Sequence, residues 1–321
     1  MEVAGLTRTF PGTRGLIDMI ARRPRPIVHA LSEVSISIAA GETLGIVGES
    51  GCGKSTLARC MVRLIEPDAG EIRFDGADVL GLAGTARRRF NRAVQMVFQD
   101  PYASLNPRMT VGATIGEALS VHQVVPPSDI PARVLKLLDL VQLPSTAAER
   151  HPHEFSGGQR QRIGIARALA VEPRVIIADE PVSALDVSVQ AQIVNLFGEL
   201  QEQLGLALVF ITHDLRLVRH MAHRMAVMYL GRVVETGPVA EIFANPRHPY
   251  TRALLRAVPQ ITPGLLRGEA AVRGELPSPL APPPGCAFHP RCPIAEPNCA
   301  KQLPALTTRG GEWPVACLLA H

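Results

Sequence analysis

The stretch Gly48-Glu-Ser-Gly-Cys-Gly-Lys54-Ser55 constrains this chain more than any other. It has the form of a P-loop, whose glycines let backbone N–H groups wrap phosphates at a helix N-terminus while the lysine and the hydroxyl reach β/γ-oxygens and magnesium. The context agrees. Residues 31–47 alternate toward Ile36, Ile38, Leu44, Ile46 and Val47 and run into the glycines, so strands should lead through a turn into a helix. A glycine-rich turn without a ligand is the plainer alternative, and the flanking strand and helix weigh against it. Only Lys54, Lys136 and Lys301 are lysines among 33 basic residues, so Lys54 stands out from an arginine background. The predicted nucleotide-binding set is therefore Gly48, Glu49, Ser50, Gly51, Cys52, Gly53, Lys54, Ser55 and Thr56, with the Cys52 thiol turned away as a small filler of no chemical role.

The runs Val94 to Phe98, Val175 to Ala178 and Leu206 to Ile211 are short, apolar and bounded by polar or turn residues, as strands buried on both faces of a mostly parallel sheet should be. The fold class is α/β. Between Leu105 and Glu154 the spacing of Val134, Leu137, Leu138 and Val141 is helical, with Pro126-Pro127 separating two such stretches, which predicts a helical subdomain at about 105–155. From Arg273 onward come ten prolines in 49 residues and four of the six cysteines. That shift divides the chain into a nucleotide-binding domain, 1–250, and a small irregular C-terminal domain, 251–321.

At 321 residues, 46% hydrophobic and 19% charged, the chain is neither a disulfide-stapled module nor a disordered tail. Its longest apolar run, Leu204 to Ile211, falls well short of the roughly 18 residues a membrane span needs. Any membrane role is expected to be peripheral, and Met1-Glu2-Val3 does not open like a signal peptide, so a cytoplasmic location is expected. The net charge of +4 does not argue for nucleic acid, and the clusters Arg22, Arg23, Arg25 and Arg87, Arg88, Arg89, Arg92 read as solvated faces.

Two further motifs carry chemistry. Val175-Ile-Ile-Ala-Asp179-Glu180 is an apolar strand ending in two carboxylates, of which the first should hold magnesium and the second polarise attacking water. Neighbouring strand residues point to opposite faces, so both can serve only if the strand ends between them, as Pro181 allows. Ser156-Gly-Gly-Gln-Arg160-Gln-Arg162 precedes the Ala-rich helical stretch Ile163 to Leu169 and forms a second anion-facing helix start. A helix cap alone would also explain that serine.

In order along the chain stand the P-loop, Gln99 in Phe98-Gln-Asp-Pro, Phe155-Ser-Gly-Gly-Gln, Asp179-Glu180, Ser183-Ala-Leu-Asp186 and Ile211-Thr-His213-Asp. This series resembles the ATPase subunits of ABC transporters, with Phe155 in place of the usual leucine. The resemblance implies that Ser156, Gly157, Gly158 and Gln159 close over ATP held in a partner's P-loop. It further implies Gln99 as a magnesium and coupling contact, Asp186 as a dimer-loop residue, His213 as γ-phosphate sensor and Phe10 as the aromatic stacking on adenine. Pro246-Arg-His-Pro-Tyr-Thr251, Gly274-Glu-Leu-Pro-Ser-Pro279 and Pro284-Gly-Cys-Ala-Phe288 narrow it to the oligopeptide and dipeptide permease ATPases, closest to the dipeptide branch's second ATPase subunits, with nickel importers as near relatives. The implied activity is ATP hydrolysis coupled to import of peptides, with import of nickel or another small solute as the alternative that the sequence does not separate from it. The implied partners are a sister ATPase in a heterodimer, two transmembrane permease subunits and an extracytoplasmic peptide-binding protein, the whole at the cytoplasmic face of the inner membrane. A DNA- or ribosome-acting ABC protein would favour tandem cassettes or long coiled-coil insertions. A regulatory module without turnover would favour an altered Glu180 or signature.

Cys286, Cys292, Cys299 and Cys317 are separated by five, six and seventeen residues, a poor match to the two to four of zinc hairpins. Four thiolates in a proline-rich loop can hold an iron–sulfur cluster, and the resemblance implies a [4Fe-4S] centre in some members. Zinc and plain reduced thiols stay as alternatives, with His289 as a substitute ligand.

Overall fold

The computed structural model describes residues 1–12, 25–100, 104–257, 275–308 and 312–320. Arg22, Arg23, Pro101 of the Gln99 motif and Gly274 lie outside the described residues. In chain order the described strands are β1 (Glu2–Pro11), β2 (Ile27–Ser37), β3 (Thr43–Val47), β4 (Ala69–Phe74), β5 (Ala77–Asp78), β6 (Val94–Val97), β7 (Val175–Asp179), β8 (Ala207–Ile211), β9 (Arg224–Tyr229) and β10 (Arg232–Pro238). The chain forms two compact units, Met1–Ser37 with Leu44–Leu80 and His213–His321, and Ile38–Thr43 with Gly81–Thr212.

In the first unit, β1 pairs antiparallel with β2 and β4, and β5 extends the sheet beyond β4. β3 lies parallel to β9, and β10 pairs antiparallel with β9. All five residues of β3 are buried, so this strand is covered on both faces although its sequence reads as alternating. A core of Val47, Met225, Val227, Tyr229, Tyr250, Phe288 and Trp313 joins these strands to the C-terminal region. The buried Glu235 fixes that joint: its carboxylate accepts from the Arg247 N–H (2.8 Å), the His248 N–H (3.0 Å) and the Trp313 indole N–H (2.9 Å). Three donors on one buried carboxylate are the satisfaction such a charge requires.

In the second unit, β6, β7 and β8 run parallel, with Val175 opposite Val94 and Ala207. Every residue of β7 and β8 is buried, matching the expected two-sided burial. The predicted helical stretch contains the helices Val111–Val121 and Ile130–Leu140, whose buried Val134, Leu137 and Leu138 are those the periodicity selects. Arg87, Arg88 and Arg89 are exposed on the helix Gly84–Ala93, a solvated face as expected, whereas Arg92 departs from that expectation: it is half-buried and donates to the Val171 carbonyl at 2.9 Å. Among the described residues no helix is long and apolar enough to cross a membrane.

Candidate nucleotide site

The first unit presents the P-loop. It leaves β3 at Val47 and ends where Gly53 caps the helix Lys54–Met61. Gly48 and Gly53 have φ of 155° and 105°, and a Cβ at either would lie 2.2 Å from the Met228 carbonyl oxygen or 2.3 Å from that of Ala30. Only glycine fits such close backbone approach. Lys54 is buried, and its ammonium donates to the carbonyls of Gly48 (2.8 Å) and Glu49 (3.0 Å). Ser55 and Thr56 follow in the first helical turn, while Ser50 and Gly51 are exposed at the loop's tip.

Cys52 is 1% exposed, consistent with a filler, yet its sulfur lies 3.8 Å from the Lys54 ammonium rather than apart from it. Burial raises its thiol above the ordinary range against the pull of Lys54, so the sulfur is a neutral wall of the loop.

Sequence reasoning missed what surrounds Glu49. Its N–H donates to the Tyr250 hydroxyl at 3.0 Å, and its carboxylate accepts from Arg291 Nη1 at 3.1 Å to each oxygen. Arg291 also reaches the Tyr229 hydroxyl at 3.4 Å. Burial works against its charge, and the bonds to Tyr229 and Glu49 outweigh that and raise its pKa. Tyr250 belongs to a motif that the sequence marked, but nothing local in the text ties it to residue 49. Phe10 is the last residue but one of β1, opposite Val28 and half-buried, with the Arg8 guanidinium 4.8 Å from its ring centroid. His213 is exposed two residues beyond β8.

The second unit carries the carboxylates. β7 stops at the buried Asp179, and Glu180 turns into the left-handed region at φ 45°, a conformation that costs a non-glycine residue about 1 kcal/mol or more. The strand thus ends between the two acids. The Glu180 N–H donates to the Ile211 carbonyl at 3.0 Å. The Gln99 amide donates to the Glu180 carboxylate and to the Ser183 hydroxyl, each at 3.3 Å, and Ser183 donates to the Glu180 carbonyl at 3.1 Å. Gln99 and Glu180 are therefore brought together, and Ser183 is a contact the sequence reading did not single out.

Ser156 caps the helix Gly157–Leu169 in a reciprocal box: its hydroxyl accepts from the Gln159 N–H (3.3 Å), and the Gln159 side chain accepts from the Ser156 N–H (3.0 Å). A Cβ at the buried Gly158 would lie 2.3 Å from Val189. Asp186 is exposed directly before the helix Val187–Leu204.

Cys286, Cys292, Cys299 and Cys317 line one small cavity with His289, and all six cysteines are free thiols. Burial pushes the Cys286 thiol up to about 11, with the other three cysteines adding to the shift, so charged sulfurs here would repel one another without a cation. Among the described residues no group of three or more His, Cys, Asp or Glu is arranged to hold a metal ion. His289 Nδ1 is 2.9 Å from the Cys286 carbonyl oxygen.

Residues 31–183 match the family model "ABC transporter", and residues 234–299 match "Oligopeptide/dipeptide transporter, C-terminal region". The chain is 50% identical to the probable peptide ABC transporter ATP-binding protein y4tS of Sinorhizobium fredii, over 99% of this chain and 89% of that protein. It is 49% identical to the oligopeptide transport ATP-binding protein AppF of Bacillus subtilis (99% and 97% covered) and to the di/tripeptide transport ATP-binding protein DppF of Pseudomonas aeruginosa (94% and 92%). Among solved structures, the dimeric ATP-binding cassette MJ0796 in a post-hydrolysis state with ADP and Pi matches with a TM-score of 0.64 at 29% identity, over 74% of this chain and 98% of that one.

Proposed function

Since the chain belongs to the ABC transporter family, with the C-terminal region of the oligopeptide/dipeptide transporters, we propose that its P-loop, carboxylate and signature residues carry the separate steps of ATP hydrolysis. The chain is an ATP-hydrolysing subunit of an ABC peptide importer, and as such works with transmembrane permease subunits and as a dimer.

The contact between Gln99 and Glu180 in a strained turn carries this reading, because it presents a carboxylate and an amide together beyond a strand end. The backbone of residues 48–56 cradles the phosphates, the Lys54 ammonium meets the β/γ-oxygens, and Ser55, Gln99 and Asp179 would hold magnesium. Glu180 orients the attacking water as general base. His213 reports the γ-phosphate, and Phe10 stacks on adenine. Ser156, Gly157, Gly158 and Gln159 close on ATP in the sister subunit, with Asp186 at the joint; the exposed, capped helix start suits that role. A heterodimeric sister ATPase, a binding protein outside the cell, a position at the cytoplasmic face of the inner membrane and the division at residue 250 belong to the same proposal.

Four soft thiols around one cavity fit an iron–sulfur cluster by donor chemistry, although among the described residues they are not already arranged to hold a metal ion. Cys286, Cys292, Cys299 and Cys317 would hold it, and when bound it would tie the irregular C-terminal segments together. Protein purified without oxygen should be brown, with about four irons per chain. Colourless protein with one zinc per chain would rule the cluster out.

The test of function is growth. A strain lacking this subunit should fail to grow on di- or oligopeptides as sole source of a required amino acid. Normal peptide uptake in that strain would contradict the assignment.

A further inference from the structure

Glu49 is the loop residue next to the first P-loop glycine, and it is gripped on three sides. Lys54 holds its carbonyl, Tyr250 its N–H and Arg291 its carboxylate. Two of those anchors come from far along the chain, 201 and 242 residues away. Arg291 is fixed in turn: its side chain is 8% exposed, its N–H donates to the Phe288 carbonyl at 3.0 Å, and Phe288 packs edge-on against Tyr229 with centroids 5.3 Å apart. The guanidinium is thus held within the first unit's core.

The electrostatic consequence follows from where Glu49 stands. A carboxylate beside a phosphate-wrapping loop repels a polyanion, and such repulsion is strong where water is partly excluded. Contact of one guanidinium nitrogen with both carboxylate oxygens cancels that charge and fixes the residue whose carbonyl holds the P-loop lysine.

We propose that Arg291 is a positioning residue for nucleotide binding, which neutralises Glu49 and so sets the P-loop for the phosphates of MgATP. This rests on the P-loop being the ATP site. Arg291→Ala should raise the Kd for MgATP about tenfold in the full chain, with kcat at saturating ATP in the assembled transporter changed far less. Arg291→Lys keeps the charge but on a shorter side chain of different shape, and should fall between. Adding Glu49→Gln to either Arg291 variant should bring the Kd back to within about threefold of the unaltered protein, because no uncompensated carboxylate is left beside the phosphates.

Unchanged MgATP affinity on Arg291→Ala would overturn the proposal. So would a penalty that Glu49→Gln fails to relieve, as a merely structural role predicts alongside a lowered melting midpoint. Should Arg291→Ala fail to fold, the same comparison with Arg291→Lys decides. Lys54→Ala is the control: if it too binds MgATP normally, the P-loop reading has failed rather than the role of Arg291.

Discussion

The P-loop and the Glu180 turn both place backbone in conformations that ordinary residues avoid, but they are held there by different means. At the P-loop, glycines remove the steric cost, and the loop is pinned by groups distant in sequence, Tyr250 and Arg291. At the turn after β7 a glutamate keeps φ at 45°, pinned by the neighbouring strand's Ile211 carbonyl and by Ser183 and Gln99. The first arrangement suits a cradle, whose work is to hold one shape. The second suits a side chain that must be aimed, because its strain persists only while the surrounding hydrogen bonds over-determine it.

The comparison predicts a graded set of effects. The largest should come from Lys54→Ala, which deletes the charge meant for the phosphates and should weaken MgATP binding about a hundredfold or more, measured by nucleotide titration. Unaltered binding would break the distinction between cradle and aimed carboxylate. Next, Glu235→Ala removes the acceptor shared by the Arg247, His248 and Trp313 N–H groups, and should cost about 3 kcal/mol or more in thermal or denaturant unfolding. A loss below about 1 kcal/mol would mean that the C-terminal region is not anchored through this carboxylate. The smallest effect belongs to Ser156→Ala, which opens the capping box at a cost of about 1 kcal/mol in stability. If Ser156 only caps the helix, ATP turnover by the assembled dimer should follow that small loss; if it also closes on the sister's ATP, turnover should fall much further.

Local chemistry was legible in the sequence and distant chemistry was not. The P-loop, the strand ending at Asp179 and the cap at Ser156 each occupy a few consecutive residues, so spacing and residue type suffice to place them. The two-sided burial of β7 and β8 was legible too, because parallel strands carry unbroken apolar runs. By contrast, Arg291 looks in the text like one more arginine in an arginine-rich chain, and only the packing of Phe288 against Tyr229 and Tyr250 brings it to Glu49. The thiol of Cys52 is a similar case. Its size suggested a filler, but only the folded loop sets its sulfur against Gly48 and 3.8 Å from the Lys54 ammonium.

The central claim, that one unit's loop holds the nucleotide while Glu180 activates water, is tested most directly by Glu180→Gln in the assembled transporter with the sister subunit's own site disabled. The amide keeps the shape of the side chain and leaves Lys54, Ser55 and Asp179 untouched. MgATP should bind with unchanged affinity while turnover falls by about a hundredfold to ten-thousandfold, so that intact ATP accumulates on the closed dimer. Hydrolysis at the unaltered rate would contradict the account.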